Sequence, residues 1–188
     1  MITTYEEARE HIRDGDILIC SGRGTFSRLI QKFTDSEWSH VAFVLWLRRL
    51  DRLMVLESME SKGVRCLPLS SYIRDMNGTG KGYGGRVCIF RDGRVAGADF
   101  GKLGKFAVDH FGYPCDNDEI LRIMLRIASR QKRGKRKKDK EYICSEFAAA
   151  CFAEIGIEFS FDPRGFITPG DFANGAAVEM VYELEIEG

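Results

Sequence analysis

The sequence lacks the features that mark membrane-spanning and exported proteins. Its longest apolar run, Val41 to Leu47, has 7 residues, whereas a helix that crosses a bilayer needs about 20. The first 13 residues are polar and contain no apolar core of a signal peptide. We therefore expect a soluble, cytoplasmic protein.

Cysteine and histidine are present, but not in the patterns that hold metal ions. There are 6 cysteines and 3 histidines, no two cysteines form a C-x-x-C pair, and the histidines stand far apart. This spacing gives little support to a structural zinc site. Without an export signal, reduced thiols are a better expectation than disulfides. We expect neither a metal ion nor an organic cofactor.

The chain carries no net charge, with 28 basic and 28 acidic residues, so the whole molecule is not an evident polyanion binder. One segment differs, because residues 130–140 contain 8 basic residues and 1 acidic residue. Such a run can bind nucleic acid or an anionic membrane. Aromatic residues are not interleaved in it as they are in single-strand binding surfaces, so we favour a solvated loop between two helices.

Length and composition indicate one folded domain over residues 1–188, with the basic loop at about 130–140. Hydrophobic residues make up 44% of the chain, which is enough to bury a core. Short apolar runs that follow one another predict an antiparallel meander of strands. The predicted strands are 17–20, 38–44, 54–57, 63–67, 86–90 and 178–186.

Helical patterns surround this run of strands. A threonine cap ahead of acidic residues predicts a helix start at 3–7, and apolar residues at helical spacing predict helices at 27–33 and 119–129. Further helical segments are predicted at 96–111, at 142–155 with Gly156 at its end, and at 171–174. The mixture indicates an α+β fold.

Cys144 is the leading candidate for a nucleophile because it lies where the helix after the basic run begins. The unpaired N–H groups and the dipole of a helix N-terminus favour a thiolate, the reactive form of cysteine. The same N–H groups can hold a developing oxyanion. A free cysteine is, however, more often a small buried hydrophobic residue.

A cysteine nucleophile needs a base that titrates near neutral pH, which points to histidine. His40 begins an apolar strand, and His110 competes with it, because spacing alone does not separate the two. Glu57 lies at the end of the next strand. If the two strands pair antiparallel, Glu57 reaches the imidazole of His40 and fixes its tautomer. Glu60 is the alternative to Glu57.

Taken together, these segments resemble the circularly permuted branch of the papain-like NlpC/P60 superfamily, in particular the YiiX/YaeF-like group. In ordinary papain-like enzymes the cysteine helix precedes the histidine strand, whereas here the cysteine follows the histidine by 104 residues. The resemblance is carried by Gly15-Asp16-Ile17-Leu18, Trp38-Ser39-His40-Val41-Ala42-Phe43-Val44, Val55-Leu56-Glu57-Ser58, Gly63-Val64-Arg65, Pro68-Leu69, Gly112-Tyr113-Pro114 with Asp116, Tyr142-Ile143-Cys144-Ser145-Glu146, and Thr168-Pro169-Gly170-Asp171-Phe172.

The resemblance implies a permuted papain-like α+β domain, in which the nucleophile helix packs on a small antiparallel sheet. It implies that Cys144 is the nucleophile, His40 its base and Glu57 the third member of the triad. It also implies that Tyr113 lines the substrate site, although Tyr142 and Tyr83 could serve instead. The basic run 130–140 is not recognised as part of the family pattern.

The sequence thus predicts a cysteine hydrolase of the peptidase or amidase type that forms a thioester acyl-enzyme on a peptide, amide or acyl substrate. One alternative is a lipid thioesterase or acyltransferase with the same fold. The other is a non-catalytic module that binds nucleic acid or an anionic membrane through residues 130–140.

Overall fold

One seven-stranded sheet organises the computed structural model, which describes residues 2–129 and 142–187. Its strands are β1 (Ile2–Thr3), β2 (Ile17–Gly22), β3 (His40–Leu47), β4 (Arg52–Met59), β5 (Gly63–Pro68), β6 (Gly85–Asp92) and β7 (Val178–Leu184). They lie in the order β1-β7-β6-β2-β3-β4-β5. Neighbouring strands are antiparallel, apart from the parallel pair of β1 and β7.

Helices cover both faces of the sheet. Those in the described ranges are α1 (Tyr5–Arg9), α2 (Thr25–Thr34), α3 (Leu69–Arg74), α4 (Phe100–Asp109), α5 (Asn117–Ala128), α6 (Cys144–Ala153) and α7 (Pro169–Ala173). Thr4 caps α1 and Thr168 caps α7, each through a capping box with an acidic residue three positions later. These caps fix where the two short helices begin.

The two faces of the sheet belong to two separate hydrophobic cores, because side chains alternate along a strand. Ile17 and Ile19 of β2 lie in a core with residues of α4, α6 and α7. Leu18 and Cys20 lie in a second core with residues of α1 and α3. The sheet is therefore the middle layer, and α6 packs directly on β3 and β4.

The predicted elements are confirmed with small shifts in their bounds. The six predicted strands are present, and β3, β4 and β5 form the expected antiparallel meander. The helix predicted from residue 142 begins at Cys144, and Gly156 has a positive φ of 78° just beyond its end. The two-residue β1 was not predicted, because its pairing with β7 comes from distant parts of the chain. The sheet is also wider than expected.

The predicted basic loop at 130–140 lies outside the described residues. Among the described residues, no helix combines the length and apolarity that a transmembrane span requires.

Candidate active site

The start of β3 and the end of β4 bring His40 and Glu57 together. In the antiparallel register Phe43 pairs with Leu56, so the residues preceding Phe43 lie beside those following Leu56. His40 Nε2 lies 2.6 Å from Glu57 Oε2. Both side chains are buried, and Glu57 is fully so. The structure thus produces the contact that the sequence predicted.

Glu57 has two further partners, one on each oxygen. Tyr72 of α3 donates its hydroxyl to Oε2. Arg65 of β5 donates Nε to Oε1 over 2.8 Å, and its Nη2 lies 2.7 Å from the same oxygen. Burial alone would raise the pKa of Glu57, but hydrogen bonds from His40 and Tyr72 and the charges of His40 and Arg65 lower it below 4.5. Glu57 is therefore a carboxylate at neutral pH.

Cys144 is the first residue of α6, and two hydrogen bonds hold this end of the helix in place. Ser58, adjacent to Glu57, donates Oγ to the carbonyl oxygen of Tyr142 over 2.6 Å. Ser145 donates Oγ to the carbonyl oxygen of Ile167 over 2.6 Å. The N-cap residue Ile143 provides no side-chain hydrogen bond to the helix, so capping by a side chain does not occupy the N–H groups at Cys144.

Cys144 lies near the other side of the His40 ring, close enough to raise the pKa of His40, and the two residues share the wall of one cavity. Because Nε2 faces Glu57, Nδ1 is the ring nitrogen available to the thiol. Burial lowers the pKa of His40, but the interactions with Cys144 and Glu57 and the charges of both groups outweigh it and raise the pKa to about 10. His40 is thus an imidazolium at neutral pH, beside the candidate nucleophile.

The other five cysteines are shifted toward the unreactive thiol form. Burial raises the pKa of Cys66 and Cys88 to about 11 and that of Cys115 to about 12. It also raises the pKa of Cys20 and Cys151, which lie in the two cores. A thiol held protonated is a poor nucleophile, so these five are unsuited to attack a carbonyl.

Cys144 and His40 both line a cavity of about 300 Å³. Its wall also includes the polar residues Ser27, Ser58 and Tyr83. The arrangement joins a thiol, an imidazolium and a buried carboxylate beside a space large enough for a small molecule. Such a site can form and hydrolyse a covalent acyl intermediate.

His110, the alternative base, and Glu60, the alternative to Glu57, make other contacts. His110 directs Nδ1 to the carbonyl oxygen of Phe106 at 2.7 Å, and its ring packs against Tyr113 and Tyr142. Glu60 is exposed and lines the 300 Å³ cavity, whereas Glu57 contacts His40. The structure therefore brings Cys144 together with His40 and Glu57, and not with His110.

Tyr113 lies beside the site with its ring edge-on to His110, at 4.9 Å between ring centroids. Its carbonyl oxygen accepts a hydrogen bond from the backbone N–H of Val64 over 2.8 Å. The described wall of the 300 Å³ cavity includes Tyr83 and Cys115 but not Tyr113. A direct contact between Tyr113 and substrate stays a prediction.

Sequence reasoning missed the two residues that hold Glu57. Arg65 was part of a matching segment but was given no role, although a tight turn after β4 makes it the direct cross-strand partner of Glu57. Tyr72 gave no signal, because α3 reaches Glu57 only through packing of the folded chain. Tyr83 was named only as an alternative to Tyr113. Its ring stacks on that of Tyr72 at 5.6 Å.

Comparison with known proteins agrees with this arrangement. Residues 11–116 match the model of a family described as permuted papain-like amidase enzyme, YaeF/YiiX, C92 family. The match spans more than half of the chain, and the chain belongs to this family. The matched range contains His40 and Glu57 and ends before Cys144. Comparison with curated protein sequences gave no match.

The fold is also found among solved structures. The crystal structure of the metalloprotein yiiX from Escherichia coli O157:H7 superimposes with a TM-score of 0.65, at 18% identity, over 93% of this chain and 98% of that chain. At this identity the likeness shows the permuted papain-like fold alone. Across residues 2–129 and 142–187, no three His, Cys, Asp or Glu side chains are grouped closely enough to share a metal ion, so the described residues do not fit a metal centre.

Proposed function

We propose that the protein is a cysteine hydrolase of the amidase or peptidase type, with Cys144 as nucleophile, His40 as proton carrier and Glu57 as the residue that orients His40. The observation that carries the proposal is the position of His40, whose Nε2 lies 2.6 Å from Glu57 Oε2 and which shares the wall of one cavity with Cys144. Membership of a permuted papain-like amidase family supports this class of chemistry.

In the first half-reaction, the Cys144 thiolate attacks the carbonyl carbon of an amide or ester, and a bond forms between Sγ and that carbon. The carbonyl oxygen takes the negative charge and is held by N–H groups at the start of α6. His40 then donates the proton on Nδ1 to the leaving nitrogen or oxygen, whose bond to the carbon breaks. The product is a thioester on Cys144.

In the second half-reaction, His40 is neutral and accepts a proton from water as the water oxygen attacks the thioester. The bond between Sγ and the carbonyl carbon breaks, and the acid leaves. Cys144 is again a thiolate beside an imidazolium. Glu57 stabilises the cationic form of His40 in both half-reactions without taking its proton. A thioesterase or acyltransferase would share this intermediate and differ in the groups exchanged.

The experiment is iodoacetamide labelling at near-neutral pH, with the labelled cysteine located by peptide mass mapping. We expect Cys144 to be labelled well before the other five cysteines, and His40→Ala to remove that advantage. The matched control is Cys66→Ala, which removes a half-buried cysteine away from the cavity and should leave labelling of Cys144 unchanged.

Turnover is measured with unlabelled protein from the same preparation, using p-nitrophenyl acetate and a peptide amide as substrates. Cys144→Ala should abolish hydrolysis of both, while Cys66→Ala retains it. If Cys144 is labelled no faster than Cys66 in the folded wild type, the proposed nucleophile is wrong. If Cys144→Ala hydrolyses either substrate as fast as wild type, another group does the chemistry.

A further inference from the structure

A second, smaller pocket adjoins Cys144 on the side where α2 and α5 approach each other. It has a volume of about 40 Å³. Most of its lining residues are apolar, among them Phe33 of α2 together with Ile123, Met124 and Ile127 of α5. The others are Thr34, Ser39, Cys144, Ser145 and Thr168. This apolar pocket is not used in the mechanism above.

The apolar pocket and the 300 Å³ cavity meet at the nucleophile. Cys144, Ser39, Ile30 and Ile120 line both spaces. His40 lines only the larger cavity. A carbonyl carbon bonded to Cys144 Sγ therefore has two spaces for its two substituents, and only one of these spaces is within reach of the imidazole.

Proton transfer decides which substituent occupies which space. His40 must reach the leaving nitrogen or oxygen within hydrogen-bond distance, so the leaving group belongs in the larger cavity beside Ser27, Ser58 and Tyr83. The acyl substituent then lies on the other side, in the apolar pocket. An aliphatic group gains free energy when it leaves water for such surroundings.

The size of the apolar pocket limits the acyl substituent. An engineered cavity of about 150 Å³ holds one benzene molecule, and this pocket is several times smaller. By the same proportion it encloses about two carbon atoms, so a short acyl chain fills it. A long lipid chain does not fit unless α2 and α5 separate.

We propose that the substrate is an amide or ester with a short aliphatic acyl group, an inference that rests on the proposed function of Cys144. The acyl group lies between α2 and α5, while the leaving group faces His40. The acyl group is transferred to Cys144 and then to water by the steps given above. This assigns Phe33 and Ile127 as residues that determine acyl-chain specificity.

The test compares p-nitrophenyl acetate, butyrate and octanoate, following release of p-nitrophenolate and acylation of Cys144 by mass. We expect kcat/KM to rise roughly 4-fold for each methylene buried between acetate and butyrate, about 15-fold in all, and to fall again at octanoate. Equal values for acetate and butyrate, or a rise that continues to octanoate, would overturn the proposal.

Variants of the pocket separate acyl specificity from general damage. Ile127→Trp fills the pocket and should bring the butyrate to acetate ratio close to 1. Leu125→Trp is the matched control, because Leu125 is on the same helix but 60% exposed, and it should keep the wild-type ratio. Phe33→Ala enlarges the pocket and should move the preference from butyrate toward octanoate, which provides a second readout if Ile127→Trp does not fold.

Failure of this inference differs from failure of the proposed function. If Cys144 is acylated by the esters but their chain length and the Phe33 variant have no effect, the acyl group does not lie in the apolar pocket, although the nucleophile stands. If no ester acylates Cys144 and iodoacetamide shows no preference for it, both proposals fall.

Discussion

Glu57 and Arg65 are direct partners across the β4–β5 pair, and Arg65 donates Nε to Glu57 Oε1 over 2.8 Å. The carboxylate is fully buried, whereas the Arg65 side chain is 20% exposed, so the cation closes the carboxylate off from solvent. A buried carboxylate without a partner tends to take up a proton. The charge that orients His40 therefore depends on a residue of the neighbouring strand.

Replacing Arg65 with methionine removes this cation and keeps an apolar stem. The pKa of Glu57, which is lowered in the native protein, should rise. The stabilising contribution of a carboxylate with a lowered pKa is complete above its unfolded pKa and is lost as pH falls through its folded pKa. Because only the ionised carboxylate stabilises the imidazolium of His40, a higher folded pKa should shift the acidic loss of activity to a higher pH than in wild type. Breaking a buried ion pair should also cost roughly 3–5 kcal/mol of stability.

The measurement is the pH dependence of kcat/KM for p-nitrophenyl acetate, together with urea unfolding. Arg52→Met is the control, because Arg52 is an exposed arginine on β4. Its loss should leave the acidic limb, the fall of kcat/KM on the low-pH side of the profile, at the same pH as in wild type. An acidic limb that does not move in Arg65→Met would show that Arg65 does not set the charge of Glu57.

The raised pKa of His40 predicts a loss of activity on the alkaline side. The contribution of its charged form is complete below the unfolded value of 6.5 and disappears as pH rises through about 10. The neutral imidazole cannot protonate a leaving group, so kcat/KM for the peptide amide should fall as pH rises through about 10. Labelling of Cys144 by iodoacetamide should persist, because alkylation requires only the thiolate.

Measuring hydrolysis and iodoacetamide labelling side by side across this pH range tests the role of His40, because only hydrolysis should be lost. His11→Asn is the control, since His11 is exposed, and it should reproduce the wild-type profile. Hydrolysis of the peptide amide that stays constant as pH rises well past 10 would contradict the role of His40 as the acid.

Tyr72→Phe removes the hydroxyl that donates to Glu57 Oε2 and keeps the ring that stacks on Tyr83. Leaving the buried carboxylate one donor short should cost roughly 1–3 kcal/mol. Because Tyr72 positions Glu57 and does not touch substrate, we expect kcat to fall while KM is unchanged, and the acidic limb to move to higher pH.

The control for Tyr72→Phe is Tyr182→Phe, a half-buried tyrosine of β7, which should keep the wild-type limb. If Tyr72→Phe lowers only the unfolding midpoint, and both kcat and the acidic limb stay where they were, its hydroxyl is structural and does not position the triad.

The candidate residues and the contact of His40 with Glu57 could be predicted from the residues, whereas the approach of Cys144 to His40, 104 residues earlier in the chain, was implied only by the resemblance to the permuted papain-like group. A cysteine at a helix start and a histidine at a strand start are local patterns. One antiparallel pairing of neighbouring strands then brings Glu57 to His40. The contact of Arg65 with Glu57 could have been predicted equally well, because the register that pairs Met59 with Gly63 also pairs Glu57 with Arg65.

The remaining parts of the site depend on packing between distant segments, which hydrophobic periodicity does not encode. Tyr72 reaches Glu57 only because α3 folds back over the sheet face that carries Leu53 and Val55. The apolar pocket forms only where α2 approaches α5. Neither arrangement can be read from the spacing of residues within one element.

Gly63, the first residue of β5, is a position near the site where the fold leaves no room for a larger residue. Its φ is +71°, and an added Cβ would lie 2.2 Å from the carbonyl oxygen of Tyr113. That oxygen accepts from the N–H of Val64, and the N–H of Gly112 donates to the carbonyl of Val64. The segment that carries Tyr113 therefore runs along the edge of β5 and leaves no room for a side chain at Gly63.

Gly63→Ala should be destabilised by more than the roughly 1–3 kcal/mol that a strained backbone conformation costs, because the contact with Tyr113 is also lost. The measurement is the urea midpoint at constant m-value. Gly84→Ala is the matched control, since an added Cβ there meets nothing within 4 Å, and its midpoint should stay close to that of wild type. If Gly63→Ala unfolds at the same urea concentration as Gly84→Ala, the close approach of Tyr113 to β5 is not a constraint on the fold, and the edge of the sheet beside the active site is more adaptable than its hydrogen bonds indicate.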